Sequence, residues 1–146
     1  ELKPLYERAN LLVINKEESE RILGLPETGA DIKDLLQKMH AFGPKAVIIT
    51  DGREGAYSYD GTEMLHIPMY PDNREPIERT GAGDAFASTV TAAMALGLPF
   101  RDALLWGPIN SMAVVQEIGA QKGLLTRKAI EDFLAKAPSN YQVTPL

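Results

Sequence analysis

Two short apolar runs constrain this chain more than any other feature: residues 11–14 in ANLLVIN and 46–50 in KAVIIT. Each is too short for a helix, and each stops on a polar residue, Asn15 and Thr50. Brief continuous apolar runs of this kind read as strands buried on both faces of a sheet. Between them, KEESERILGL has helical character and stops at Gly24. TGADIKDLLQKMHAFG then sets Ile32, Leu35, Leu36 and Met39 on one helical face before Gly43, where a left-handed stop is common. Strand, helix, strand implies a right-handed crossover and a parallel pair, which makes the chain α/β. Ligands of such sheets gather beyond the carboxyl ends of the strands. Asn15 and Thr50-Asp51-Gly52 stand at those ends.

The rest of the chain changes character twice. GAYSYDGTEMLHI has two strand-like runs around Asp60-Gly61, a hairpin signal, and PMYPDNREP carries three prolines and reads as loop. From Ala82 onward the pattern is helical to the end of the chain. One helix is expected over about 83–96, ended by Gly97 and Pro99, and a second over about 100–117. Leu104, Leu105, Ile109, Met112, Val115 and Ile118 give the second its apolar face, Trp106 is expected to pack in the core, and Ile118-Gly119-Ala120 closes it. TRKAIEDFLAK is a third helix with Thr126 as N-cap. No repeat, low-complexity tract or linker interrupts the pattern, so one structural unit is expected. The opening ELKPLYERANLLVIN reads as the end of a helix entering a strand, the pattern expected in the middle of a protein whose N-terminal part is absent.

Composition narrows the function. With 146 residues, 45% hydrophobic and 24% charged, the chain can bury a core of its own. The net charge of −5 and the lack of a long Lys/Arg run argue against a nucleic-acid groove, and no apolar run approaches a membrane span. Without cysteine there is neither a disulfide nor a thiolate metal site. His40 and His66 lie far apart and read as structural.

The chemistry concentrates in ERTGAGDAFASTVTAAMALG, where Gly81-Ala82-Gly83 runs into Asp84 at the mouth of a helix. Two readings stand side by side. Asp84 is a favourable anion in a first helical turn, where a negative side chain contributes about 0.3–1 kcal/mol. Alternatively, the glycines let a phosphate approach bare N–H groups while the Asp84 carboxylate receives the proton of an attacking alcohol. Other phosphate signatures are missing. There is no G-x-x-x-x-G-K-[ST], and Phe86 occupies the last glycine position of a G-x-G-x-x-G, which disfavours a nicotinamide-dependent oxidoreductase.

RTGAGDAF resembles the C-terminal signature of the ribokinase-like (PfkB) family of carbohydrate kinases, D-T-x-G-A-G-D. Three further stretches fall in family order. Asn15-Lys16-Glu17-Glu18 resembles the N-x-x-E motif, and VIITDGREGA the strand followed by T-x-G-x-x-G. NSMAVVQEIGAQ, residues 110–121, resembles the helix and GA turn behind the adenine. The resemblance implies a three-layer αβα ribokinase-like (Rossmann-like) core with a mostly parallel sheet, here a partial domain. Residues 1–146 would be its C-terminal nucleotide-binding and catalytic portion, with the N-terminal half absent.

By the same resemblance, the activity is ATP-dependent phosphorylation of a sugar hydroxyl, in a cytoplasmic enzyme that forms a homodimer at full length. Neither nucleic acid nor membrane is an expected partner. Asp84 would be the catalytic base, and Gly81, Ala82 and Gly83 the anion hole for the γ-phosphate. Thr50, Gly52, Thr80 and Asn110 would bind the nucleotide, with Asn110 by the adenine. Asn15 and Glu18 would organise Mg²⁺ through water, and carbonyls near Glu78 and Thr80 could hold K⁺. Ordinary readings remain open for several of these. Asn15 with Glu18 is a capping box, Asp51-Gly52 a turn, and Asn110 a polar helix residue. The usual Asp-Thr pair is Glu78-Arg79 here, and the Arg79 guanidinium could pair with phosphate oxygens. An alternative function is a non-catalytic nucleotide- or phosphate-binding regulatory module. A 146-residue piece by itself is expected to be inactive toward sugar.

Overall fold

The structure, a computed structural model, describes residues 3–26 and 29–146. After a short helix α1 (Lys3–Tyr6), the two apolar runs form β1 (Leu12–Asn15) and β2 (Val47–Thr50). They pair parallel, Leu12 opposite Val47 and Asn15 opposite Thr50. The crossover between them holds α2 (Lys16–Ile22) and α3 (Ile32–His40). Each starts on a side-chain cap. Asn15 Oδ1 accepts the Glu18 N–H at 2.8 Å while Glu18 Oε2 accepts the Asn15 N–H at 3.1 Å, so the capping box is present. Asp31 Oδ1 accepts from the Lys33 and Asp34 amides. Leu35, Leu36 and Met39 of α3 are fully buried against Val47 and Ile49. Ile48 points to the other face of the sheet and is equally buried, which is why β2 reads as an unbroken apolar run.

β1 differs from that expectation. Leu12, Val13 and Ile14 are only half-buried, because β1 stands at the end of the sheet order with a neighbour on one side alone. The hairpin forms as expected, β3 (Ala56–Tyr59) and β4 (Met64–Ile67). Its connection is held by Asp60 Oδ1, which accepts from the Thr62 and Glu63 amides, and by Gly61 at φ 87°. β3 runs antiparallel to β2, and a final strand β5 (Thr144–Pro145) runs antiparallel to β4. Helix was expected to the chain end. A two-residue strand has no period to read, and its partner His66 is remote in sequence. The sheet order is β1-β2-β3-β4-β5, with β1–β2 its parallel pair.

The described residues divide into two units, one ending at His66 and joined by Thr144–Leu146, the other Ile67–Val143. A single unit was expected. The division falls at the end of β4, just before the proline-rich loop, whose prolines signal a loop and not a boundary. The second unit is helical: α4 (Ala82–Ala95), α5 (Phe100–Leu104), α6 (Trp106–Val114) and α7 (Arg127–Ala135). Thr126 caps α7, its Oγ1 accepting the Ala129 N–H.

The helix expected over 100–117 is broken at Leu105 and ends at Val114. Pro108 is the reason: it has no N–H to donate, and its ring clashes with the carbonyl four residues back, that of Leu104. The Tyr141 hydroxyl donates to the Leu105 carbonyl at 2.6 Å, and burial pushes its ionisation far up. α6 is buried almost all round and lies against α4. Gly107 permits that approach, since a Cβ there would lie 2.8 Å from the Phe86 ring and 2.9 Å from Val90 Cγ2. Gly107→Ala is therefore expected to overpack the pair and cost about 1–3 kcal/mol. Urea unfolding followed by far-UV circular dichroism checks this; an unchanged midpoint would contradict it.

Candidate active site

In the first unit, the parallel register sets Asn15 beside Thr50 at the carboxyl ends of β1 and β2. One residue further on, Lys16 Nζ donates to Asp51 Oδ2 at 3.0 Å and ties the two strand ends together. The Asp51 hydrogen bond raises the lysine's pKa against the opposing effect of its partial burial. A lysine raised in the folded state contributes stability below its ordinary pKa and loses it only as pH climbs through the raised one, so the tie is intact at neutral pH. Gly52 (φ 52°) opens a single 3-10 turn, Gly52–Glu54, in which the Asp51 N–H donates to the Gly55 carbonyl at 2.8 Å. Asp51-Gly52 is thus a turn. Glu18 and Asn15 are exposed, and their side chains are engaged with each other's backbone. Among the described residues no group of three or more His, Cys, Asp or Glu could hold a metal directly. Both histidines have packing partners, His40 on the Tyr59 ring and His66 on Tyr57.

In the second unit, Gly81 is the N-cap of α4, in the left-handed region at φ 84°, and no side chain caps this end. The Ala85 N–H makes the first helical bond, to the Gly81 carbonyl at 2.8 Å. The amides of Ala82, Gly83 and Asp84 have no carbonyl four residues back within the helix. Ala82 finds the Arg79 carbonyl at 3.3 Å. Gly83 and Asp84 are exposed, as are Arg79 and Thr80. Gly81 lies tight against the turn after α6, where its Cβ would come within 2.6 Å of Ala120 Cβ. A Cβ at Gly83 would meet nothing within 4 Å.

Two contacts that sequence reasoning did not find hold this loop. Ser111 Oγ donates to the Ala82 carbonyl at 2.6 Å, and Glu78 Oε2 accepts the Gly119 N–H at 2.8 Å. Hydrogen bonding from the Thr80 side chain, then from the Gly119 amide, holds the Glu78 carboxyl below the usual range. Gly119-Ala120 was visible as a turn; Ser111 carried no signal at all. Asn110 is buried, its Nδ2 donating to Thr89 Oγ1 at 2.7 Å and its Oδ1 accepting the Leu125 N–H at 2.9 Å. The structure thus brings Thr80, Gly81, Ala82, Gly83 and Asp84 together in one unit, and Asn15, Glu18, Thr50 and Gly52 in the other.

The profile of the pfkB family carbohydrate kinases matches residues 1–127. A cytidine kinase of Thermococcus kodakarensis is 31% identical over 120 residues, 81% of this chain and 41% of its own length. The ribokinase of Arabidopsis thaliana, solved with ribose and ATP, superposes with a TM-score of 0.81 at 26% identity, over 90% of this chain and 43% of its own. A candidate ribokinase II from E. coli, solved with ATP and Mg²⁺, gives 0.77 at 26% identity over 92% and 42%. The chain spans less than half the length of these relatives. The fold is ribokinase-like α/β.

The two loop glycines are predicted to respond differently to a methyl group. Gly81→Ala meets both a positive φ and the Ala120 wall, for an expected loss of about 1–3 kcal/mol. Gly83→Ala meets neither and is expected to leave stability unchanged or slightly raised. Equal losses in thermal melts of the two variants would overturn this contrast.

Proposed function

The chain belongs to the pfkB family of carbohydrate kinases, and on that premise we propose that it serves ATP-dependent transfer of the γ-phosphoryl group to a hydroxyl of a sugar or nucleoside. Gly83 carries the reading. It occupies the first turn of a helix, where glycine is poorer than alanine by up to about 1 kcal/mol, yet no neighbour forbids a side chain there. A ligand that must come close to the backbone explains the choice. Gly81, Ala82 and Gly83 are the proposed anion hole, aiming first-turn amides at a phosphate.

Asp84, exposed beside those amides, is the proposed base. Phosphoryl transfer has a loose transition state in most analyses, so a carboxylate that orients the hydroxyl and takes its proton late is sufficient. Arg79 would add charge next to the same loop. Thr80, Thr50 and Gly52 are proposed nucleotide contacts. The Asn110 side chain is engaged with Thr89 and Leu125, so its proposed role near the adenine is exerted through the segment it holds. Mg²⁺, when bound, would neutralise phosphate charge. Asn15 and Glu18 suit it through water, since each is already bonded to the other. A K⁺ site would fall to the backbone carbonyls of Glu78 and Thr80, because the Glu78 carboxylate already holds Gly119.

Gly83→Ala is expected to weaken ATP binding, read by isothermal titration calorimetry, at least ~10-fold with stability kept. Asp84→Asn in the full-length protein should lower turnover by at least ~100-fold while ATP affinity stays within a few-fold. Near-normal turnover in that variant would reject Asp84 as the base, whereas ATP binding without any turnover in the unaltered full-length protein would favour the regulatory-module reading. Arg79→Ala should weaken ATP several-fold and flatten the salt dependence of binding; unchanged affinity would remove Arg79 from the site.

A further inference from the structure

Glu78 stands three residues ahead of the α4 N-cap and reaches across 41 residues of sequence to the Gly119 amide. Gly119 sits at φ 96°, a backbone state that glycine tolerates and others rarely adopt. The next residue, Ala120, is the wall against which Gly81 rests: a Cβ on Gly81 would come within 2.7 Å of Ala120 Cα and 2.9 Å of its carbonyl oxygen. Gly81 in turn is the left-handed N-cap that leads directly into the first turn of α4. The backbone on either side is already fixed. The Ile77 and Glu78 amides donate to the Val115 carbonyl at 2.8 and 3.2 Å, and Ser111 holds the Ala82 carbonyl. Between these two anchors, the bond from the Gly119 amide to the Glu78 carboxylate links the loop to the 119–120 turn.

We propose that Glu78 is a positioning residue: its carboxylate holds the 119–120 turn, and through the Ala120–Gly81 contact sets the direction of the Gly83 and Asp84 amides. It touches no reacting atom. Its effect on nucleotide rests on the kinase reading above, but its effect on the loop does not. What the role needs is an acceptor at the reach of a glutamyl side chain. Glutamine supplies that acceptor, and alanine removes it.

The experiment is amide hydrogen exchange by NMR on the chain and on Glu78→Ala and Glu78→Gln, followed by ATP titration of each. In Glu78→Ala, exchange at Gly119 should quicken at least ~10-fold, as expected for loss of a charge-assisted bond, and the amide signals of Gly83 and Asp84, which are exposed, should shift in the same spectra. Glu78→Gln should bring Gly119 exchange back to within a few-fold of the original and return the Gly83 and Asp84 shifts toward it. Rescue by glutamine separates positioning from a bare need for charge. The proposal is overturned if alanine leaves the Gly83 and Asp84 amide shifts unchanged, or if glutamine and alanine behave alike. Where the parent chain binds ATP, Glu78→Ala should weaken it in step with the exchange, and Glu78→Gln should not. If the parent chain binds no ATP, the nucleotide reading falls, and the exchange data alone uphold or reject the latch.

Discussion

The second unit is organised by a helix with almost no solvent-facing side. A helix buried all round must satisfy every polar group it carries within the protein, and α6 does so by reaching outward in several directions. Asn110 takes Thr89 on α4 and the Leu125 amide ahead of α7. Ser111 takes the Ala82 carbonyl at the start of α4, and the residue after the helix end, Val115, offers its carbonyl to Ile77 and Glu78. The loop that begins α4 is thus placed by the needs of a buried neighbour. Gly107 sets how close the two helices come.

Against that rigid background the helix starts differ in kind. Asn15, Asp31 and Thr126 each supply a side-chain oxygen to an orphan amide. Such a cap is worth about 1 kcal/mol. Gly81 supplies none, and neither do Pro99 and Leu105 ahead of α5 and α6. The deficit at Gly81 is local, at a helix whose packing is otherwise among the most extensive in the chain. An acid in the first turn offsets part of it through the helix dipole, so the ordinary reading of Asp84 is compatible with the proposed catalytic one. Gly83, which no packing constraint explains, separates them.

Features set by near neighbours were legible in the sequence, and those set by distant ones were not. The crossover from β1 to β2 follows from apolar period and length, and the Asn15–Glu18 box from a spacing of three. The GAGD loop was found because its residue types are unusual for a helix start. By contrast, Lys16 and Asp51 meet across 35 residues and Glu78 and Gly119 across 41. Nothing in either local stretch announces the partner. The break at Leu105 was available in Pro108 but was outweighed by an apolar spacing that runs straight through it. Half-burial of β1 depends on what lies beside it, which a strand's own residues do not record.

The division into two units has an optical consequence. The chain has a single tryptophan, Trp106, and it lies at the first position of α6 in the second unit, 5% exposed. Intrinsic fluorescence excited at the indole band therefore reports from the start of α6, while the rings of β3, Tyr57 and Tyr59, are tyrosines. A melt recorded at that one chromophore follows the surroundings of a single helix end, so a second probe such as far-UV circular dichroism is needed to follow the strands.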